Sequence, residues 1–132
     1  VQDLATKKHD LSADTLKVML TNSAPSATNA IKADITEISA GNGYTAGGNA
    51  ATESSCSQSS GTLKLVCTSP TTWTASGGTI GPFRYAVIYN DTQATPAKPL
   101  IGFWDYGSAV TLNIGETFTV TLDGTNGVLQ IA

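Results

Sequence analysis

Phe83-Arg84-Tyr85-Ala86-Val87-Ile88-Tyr89-Asn90 is followed by LIGFWDYG (100–107), AVTLNIGE (109–116), TFTVTL (117–122) and GVLQIA (127–132), with little but turn residues between them. These segments read as consecutive strands. Strands this short bury a face only by assembling, so the stretch dictates a packed all-β domain. Ala86 and Ile88 make the second face of the first segment as apolar as the Phe83, Tyr85, Val87 and Tyr89 face, and LIGFWDYG is almost apolar throughout. Both are therefore expected in the middle of the structure. The later segments alternate cleanly, which lets registers be proposed: Val110 opposite Val120 and Leu112 opposite Phe118 around Gly115, then Val120 opposite Ile131 and Leu122 opposite Leu129 around the loop 124–127.

Working toward the N-terminus, TTWTASGG (71–78) holds a short strand at Trp73. Residues 52–68 form a hairpin whose turn places Gly61 at its first central position. Pairing Ser60 with Leu63 in that register sets Cys56 against Cys67. The pair then sits at a hydrogen-bonded position with Cα atoms about 5.5 Å apart, compatible with a disulfide or with two reduced, buried thiols. Between residues 22 and 50 periodicity fades into Ala, Ser, Asn and Gly, with room for a short helix at 33–39, and GNGYTAGGNA (41–50) reads as a loop with positive-φ positions. TLKVMLT (15–21) alternates as a half-buried strand with Leu16, Val18 and Leu20 inward. Residues 1–10 form a thin helical arm. The expected fold is a single-domain antiparallel β-sandwich or flattened barrel over 1–132, with 1–10 as arm and 22–50 as a long Gly-rich loop or crossover.

Bulk composition narrows the function. A chain of 132 residues suits one domain with a genuine core. Charged residues make up 13% and the net charge is −3, with Lys7 and Lys8 the only adjacent cations, which points away from nucleic acid. No apolar run is long enough to span a bilayer, and VQDLATKKHD lacks the apolar centre of a secretory signal.

Few residues are suited to catalysis. His9 is the only imidazole and lies in the arm, no nucleophile elbow occurs, and a hydrolytic triad is not expected. Asp105 and Glu116 read as solvated charges rather than a glycosidase dyad, and Asp91 and Asp123 as turn residues. Neither a calcium loop nor a phosphate loop is present, and two cysteines with a distant histidine make no zinc site. No cofactor or metal is expected. Trp73, Tyr85, Tyr89, Trp104 and Tyr106 are candidates either for a sugar-stacking face or for core packing. Arg84, the only arginine, is expected to pair with Asp105, with a subunit contact as the alternative.

Taken in order, LATKKHDLSADTLKVMLT, DITEISAGNGYTAGG, SSGTLKLV, FRYAVIYNDT, LIGFWDYG and GETFTVTLDGTNGVLQIA resemble a family of small β-rich virion structural proteins of tailed bacteriophages. The resemblance covers nearly the whole chain, rests on order and spacing, and does not extend to a cysteine pair. It implies a non-enzymatic decoration or cement protein on the capsid surface, assembled in the host cytoplasm. Its implied partners are the major capsid protein and copies of itself, a trimer being the natural oligomer. Neither nucleic acid nor membrane is implied as a partner. A tail, baseplate or fibre component and a carbohydrate-binding module for host attachment are the alternatives. On this reading the arm and the loop 23–50 make the contacts, with Val1, Leu4, Lys7, Lys8, Ile31, Ile35 and Tyr44 as contact residues.

Overall fold

The computed structural model describes residues 2–132, so Val1, one of the expected contacts, lies outside the described residues. Its elements are α1 (Gln2–Ala5), β1 (Leu16–Thr21), a 3-10 turn (Lys32–Asp34), β2 (Asn49–Ala50), β3 (Glu53–Ser59), β4 (Thr62–Cys67), β5 (Trp73–Thr74), β6 (Ile80–Asn90), β7 (Leu100–Leu112), β8 (Thr117–Phe118) and β9 (Leu129–Ile131). A four-stranded sheet runs β2-β1-β6-β7, a three-stranded sheet β3-β4-β9, and β5 pairs with β8. Every named pairing is antiparallel. The chain is an all-β protein with a short N-terminal helix.

The main core lies between these sheets. Leu16, Val18, Leu20, Ala86 and Ile88 from the large sheet meet Leu65 and Cys67 from β4, with Trp73, Phe83 and Leu112 closing one end. Residues opposite each other across a ladder point to the same side, so the pairs Val18↔Ile88 and Leu20↔Ala86 form the inner face. The outer face of β1 and β6 is also buried, since Met19, Val87 and Tyr89 form a second small cluster under Ile35. β1 is thus covered on both faces, beyond the half-burial its alternation suggests. Phe83 joins the main core although it shares sequence parity with Val87, because a register irregularity between Phe83 and Tyr85 turns it to the other side.

Several registers differ from those expected. The β3–β4 turn is Ser60-Gly61, both at positive φ, with Ser59↔Thr62 closing it. Moving the turn by one residue sets Cys56 against Leu65, and the irregularity between Glu53 and Ser55 then sets Cys67 against Glu53; both thiols are free, which removes the cross-strand disulfide. Positive φ at Ser60 allows the primed turn that matches strand twist, and this outweighs the preference for Gly in first position. β6 is central as expected, but LIGFWDYG and AVTL, expected as one central strand and one separate hairpin strand, form a single continuous strand at the edge of the sheet. Val110 and Leu112 pair with Phe83 and Ile80, β8 pairs with β5, and β9 pairs with β4. Neither expected C-terminal hairpin forms, because alternation fixes which face is buried and leaves the partner strand open.

Candidate functional site

β6, saturated by β1 on one side and β7 on the other, presents β7 as a 13-residue outer strand. On its outer side Leu100 N–H donates to Ala30 O at 2.9 Å, and among the described residues no strand pairs with β7 beyond that point. Phe103 is 49% exposed, Trp104 39% and Tyr106 61%. Trp104 lies opposite Ala86 on the core side of the sheet, beside an open groove of about 220 Å³ that Thr121, Leu122 and Asp123 help to line. Phe103 lies opposite Val87 on the other side, edge-on to Tyr85 at 6.2 Å between centroids. Tyr106 meets Phe118 edge-on at 5.6 Å. Aromatic surface therefore faces solvent on both sides of one free backbone edge, the arrangement monomeric proteins usually avoid.

Arg84 and Asp105 pair as expected, through Nε to Oδ1 at 2.7 Å and NH2 to Oδ2 at 2.9 Å. Hydrogen bonds from Arg84, joined by the Gly107 N–H, hold the Asp105 carboxyl below its ordinary range, and the same bonds raise Arg84. Gly107 sits at φ 94 where β7 bulges between Asp105 and Val110, which carries Tyr106 outward. The edge thus offers a neutral ion pair amid aromatics. A bidentate pair this exposed adds little stability but sets orientation.

The loop expected to reach partners folds onto its own sheet. Tyr44 is 2% exposed; its hydroxyl donates to Glu37 Oε1 at 2.7 Å and accepts from Leu20 N–H at 3.0 Å. Glu37 also receives Gly47 N–H at 2.6 Å and Lys32 Nζ at 2.7 Å, while Tyr89 Oη donates to Gly47 O at 2.7 Å. Burial, then the Glu37 acceptor, pushes the Tyr44 hydroxyl far up, so it stays a donor. Gly48, at φ +75, is packed so closely on the Val18 carbonyl that a side chain would collide with it. Ile35 is buried against Met19 and Val87. Tyr44 and Ile35 are internal, a correction to their reading as contacts, and Ile31 is half-buried where it bridges Pro99. Backbone groups of so long a segment need partners, and carbonyls of the segment itself, the Leu20 carbonyl and the Asp34 and Glu37 carboxylates supply many of them.

In the arm, Leu4 packs against the main core, Lys7 is exposed and Lys8 half-exposed. His9 is not remote from the cysteines, since it lines a groove of about 430 Å³ that also holds Leu4, Leu11, Cys56 and Leu63. Burial raises the Cys56 thiol and pushes Cys67 up to about 11, leaving both protonated and weakly nucleophilic at neutral pH. Among the described residues no group of three or more His, Cys, Asp or Glu side chains gathers to hold a metal. Of the proposed sugar-stacking aromatics, Trp73 and Tyr89 are buried, which leaves the half-buried Tyr85 and the exposed Trp104 and Tyr106. Asp123 accepts from Thr125 and Asn126 N–H as a turn residue, whereas Asp91 lies between Lys17 at 3.0 Å and Lys98 at 2.7 Å.

The β7 edge was missed because its apolar content suggested burial. The overlooked signal is Gly102-Phe103-Trp104-Asp105-Tyr106-Gly107, where a carboxylate and two glycines interrupt what a central strand fills with branched aliphatics. No family model matches the chain, and no curated protein or solved structure matches it.

Proposed function

We propose that this chain is a non-enzymatic structural protein of a tailed-bacteriophage virion, which binds the outer capsid surface and cements or decorates the shell. The observation that carries this reading is β7, a free edge that displays Phe103, Trp104 and Tyr106 on a rigid sandwich. The motif order noted in the sequence supplies the phage context. Aromatic anchors beside a compensated Arg84–Asp105 pair suit a buried protein interface, where unpaired charge is costly. Cementing follows mechanically: a subunit that buries surface on two neighbouring capsomers adds binding free energy that opposes their separation. The low net charge of −3 lets many copies crowd together without strong repulsion. The major capsid protein and further copies of this chain are the partners, with a trimer at quasi-threefold positions as the working arrangement.

Electron microscopy of the intact particle tests this. Hundreds of copies over the shell, with β7 against a capsid protein or a sister subunit, are expected. A few copies confined to the tail would move the protein there. Trp104 beside the groove at Thr121 and Asp123 favours one second reading, a carbohydrate-binding face. On a glycan array, binding lost with Trp104→Ala would support it, and absent binding would dismiss it.

A further inference from the structure

His9 is the only imidazole of the chain and stands where the arm meets the sandwich. Its Nδ1 lies 3.1 Å from Nδ2 of Asn90, a residue with no exposed surface. Which atom of that amide faces His9 is decided by its other partners. Asn90 Oδ1 accepts the backbone N–H of Thr92 at 2.9 Å and of Gln93 at 3.2 Å, and neither of those groups can accept. The NH2 group must therefore point the other way, where one hydrogen goes to Asp14 Oδ2 and the second to His9. A donor from Asn90 requires a lone pair on His9 Nδ1, so the ring is neutral with its proton on Nε2. Protonating Nδ1 would set N–H against N–H.

The hydrophobic part of the arm depends on the same spot. Leu4 packs on the main core between two grooves that His9 also lines, one bounded by Leu11, Cys56 and Leu63, the other by Leu100, Ile101 and Leu129. α1 is a four-residue helix, too short to persist unless something holds it.

We propose that His9 is a pH-operated latch: the neutral imidazole fastens the arm to the sandwich through Asn90, and protonation releases residues 2–8 and uncovers the apolar groove beneath Leu4. The charged groups around the ring have opposing effects. Asp3 on α1 and Asp14 favour the cation, the terminal amine disfavours it, and Lys7 and Asp10 line the adjoining groove. β4, β7 and β9 present apolar side chains at these grooves, and β3 contributes the protonated Cys56 thiol. The Oδ2 of Asp14 is already occupied, since it accepts from Asp10 N–H at 2.9 Å, from Gln93 at 3.2 Å and from Asn90. Burial dominates and lowers the His9 pKa. A lowered folded value means that arm docking is complete above the unfolded value of about 6.5 and is lost as pH falls through the folded one.

The latch stands whether or not the virion reading does. It is tested by NMR on the whole chain, where a single histidine makes the ring signals unambiguous. Nitrogen shifts at pH 7.5 are expected to show the Nε2–H tautomer, with a titration midpoint below about 6.5. Leu4 methyl NOEs to Ile101 and Leu129 are expected at pH 7.5 and lost at a pH below that midpoint. His9→Gln, which keeps an acceptor but cannot charge in this range, is expected to retain them at both pH values. A proton on Nδ1, a midpoint at or above about 6.5, or Leu4 contacts that persist below the measured midpoint would overturn the latch. So would His9→Gln losing them as the parent does.

Discussion

The loop of residues 22–50 and the strand β7 exchange the roles their compositions suggest. The loop is rich in Gly, Ser and Asn and has little periodicity, yet Tyr44, Ile35 and Glu37 draw it inward until it roofs the large sheet. β7 is apolar and regular, yet it lies at the edge with three aromatics in solvent. Irregular sequence describes a backbone without repeating geometry and does not determine whether its side chains find partners in the same chain. Apolar sequence records a demand for burial, and that demand can be met by another subunit as well as by the chain's own core.

The largest expected effect contrasts the two tryptophans. Trp73 is 1% exposed and stacks near Tyr44 of the loop at 6.4 Å, so Trp73→Ala should cost about 3–5 kcal/mol in denaturant unfolding. Its Nε1–H finds no acceptor among the described residues, which places the expected cost toward the lower end of that range. Glu37→Ala strips the loop of its shared acceptor and leaves the Tyr44 O–H donor and the Gly47 N–H without an acceptor, for about 3 kcal/mol by the same measurement. Gly48→Ala should cost roughly 2–3 kcal/mol, against about 1 kcal/mol for Gly61→Ala, where φ is also positive but the space is open. On the other side of the comparison, Trp104→Lys should weaken attachment to shells by about 2 kcal/mol, roughly 30-fold. Its effect on folding stability should stay within about 0.5 kcal/mol, and a loss like that of Trp73→Ala would mean that β7 belongs to the core.

Much of the fold was legible. Alternation placed β1, two apolar faces placed β6 at the centre, and the glycines of GNGYTAGG marked the positive-φ positions found at Gly41, Gly43, Gly47 and Gly48. Arg84 and Asp105 were matched because a lone arginine among apolar residues needs a counter-charge. Strand order was not legible. Period-two patterning states which face is buried but not which neighbour supplies the hydrogen bonds, so β8 and β9 were assigned to each other and in fact pair with β5 and β4. The Cys56–Cys67 error has a narrower origin, a one-residue difference in where the turn sits. The contact surface was misplaced for a third reason: burial of Tyr44 depends on Glu37 in the same aperiodic loop and on Leu20 in β1, partners that no sequence periodicity announces.

Backbone hydrogen exchange, compared between the free subunit and the assembled particle, tests the central claim most directly. The account predicts that amides of residues 101–111 gain protection on assembly while those of residues 22–50, already bonded within the subunit, change little. Protection gained by the loop with β7 unchanged would contradict it.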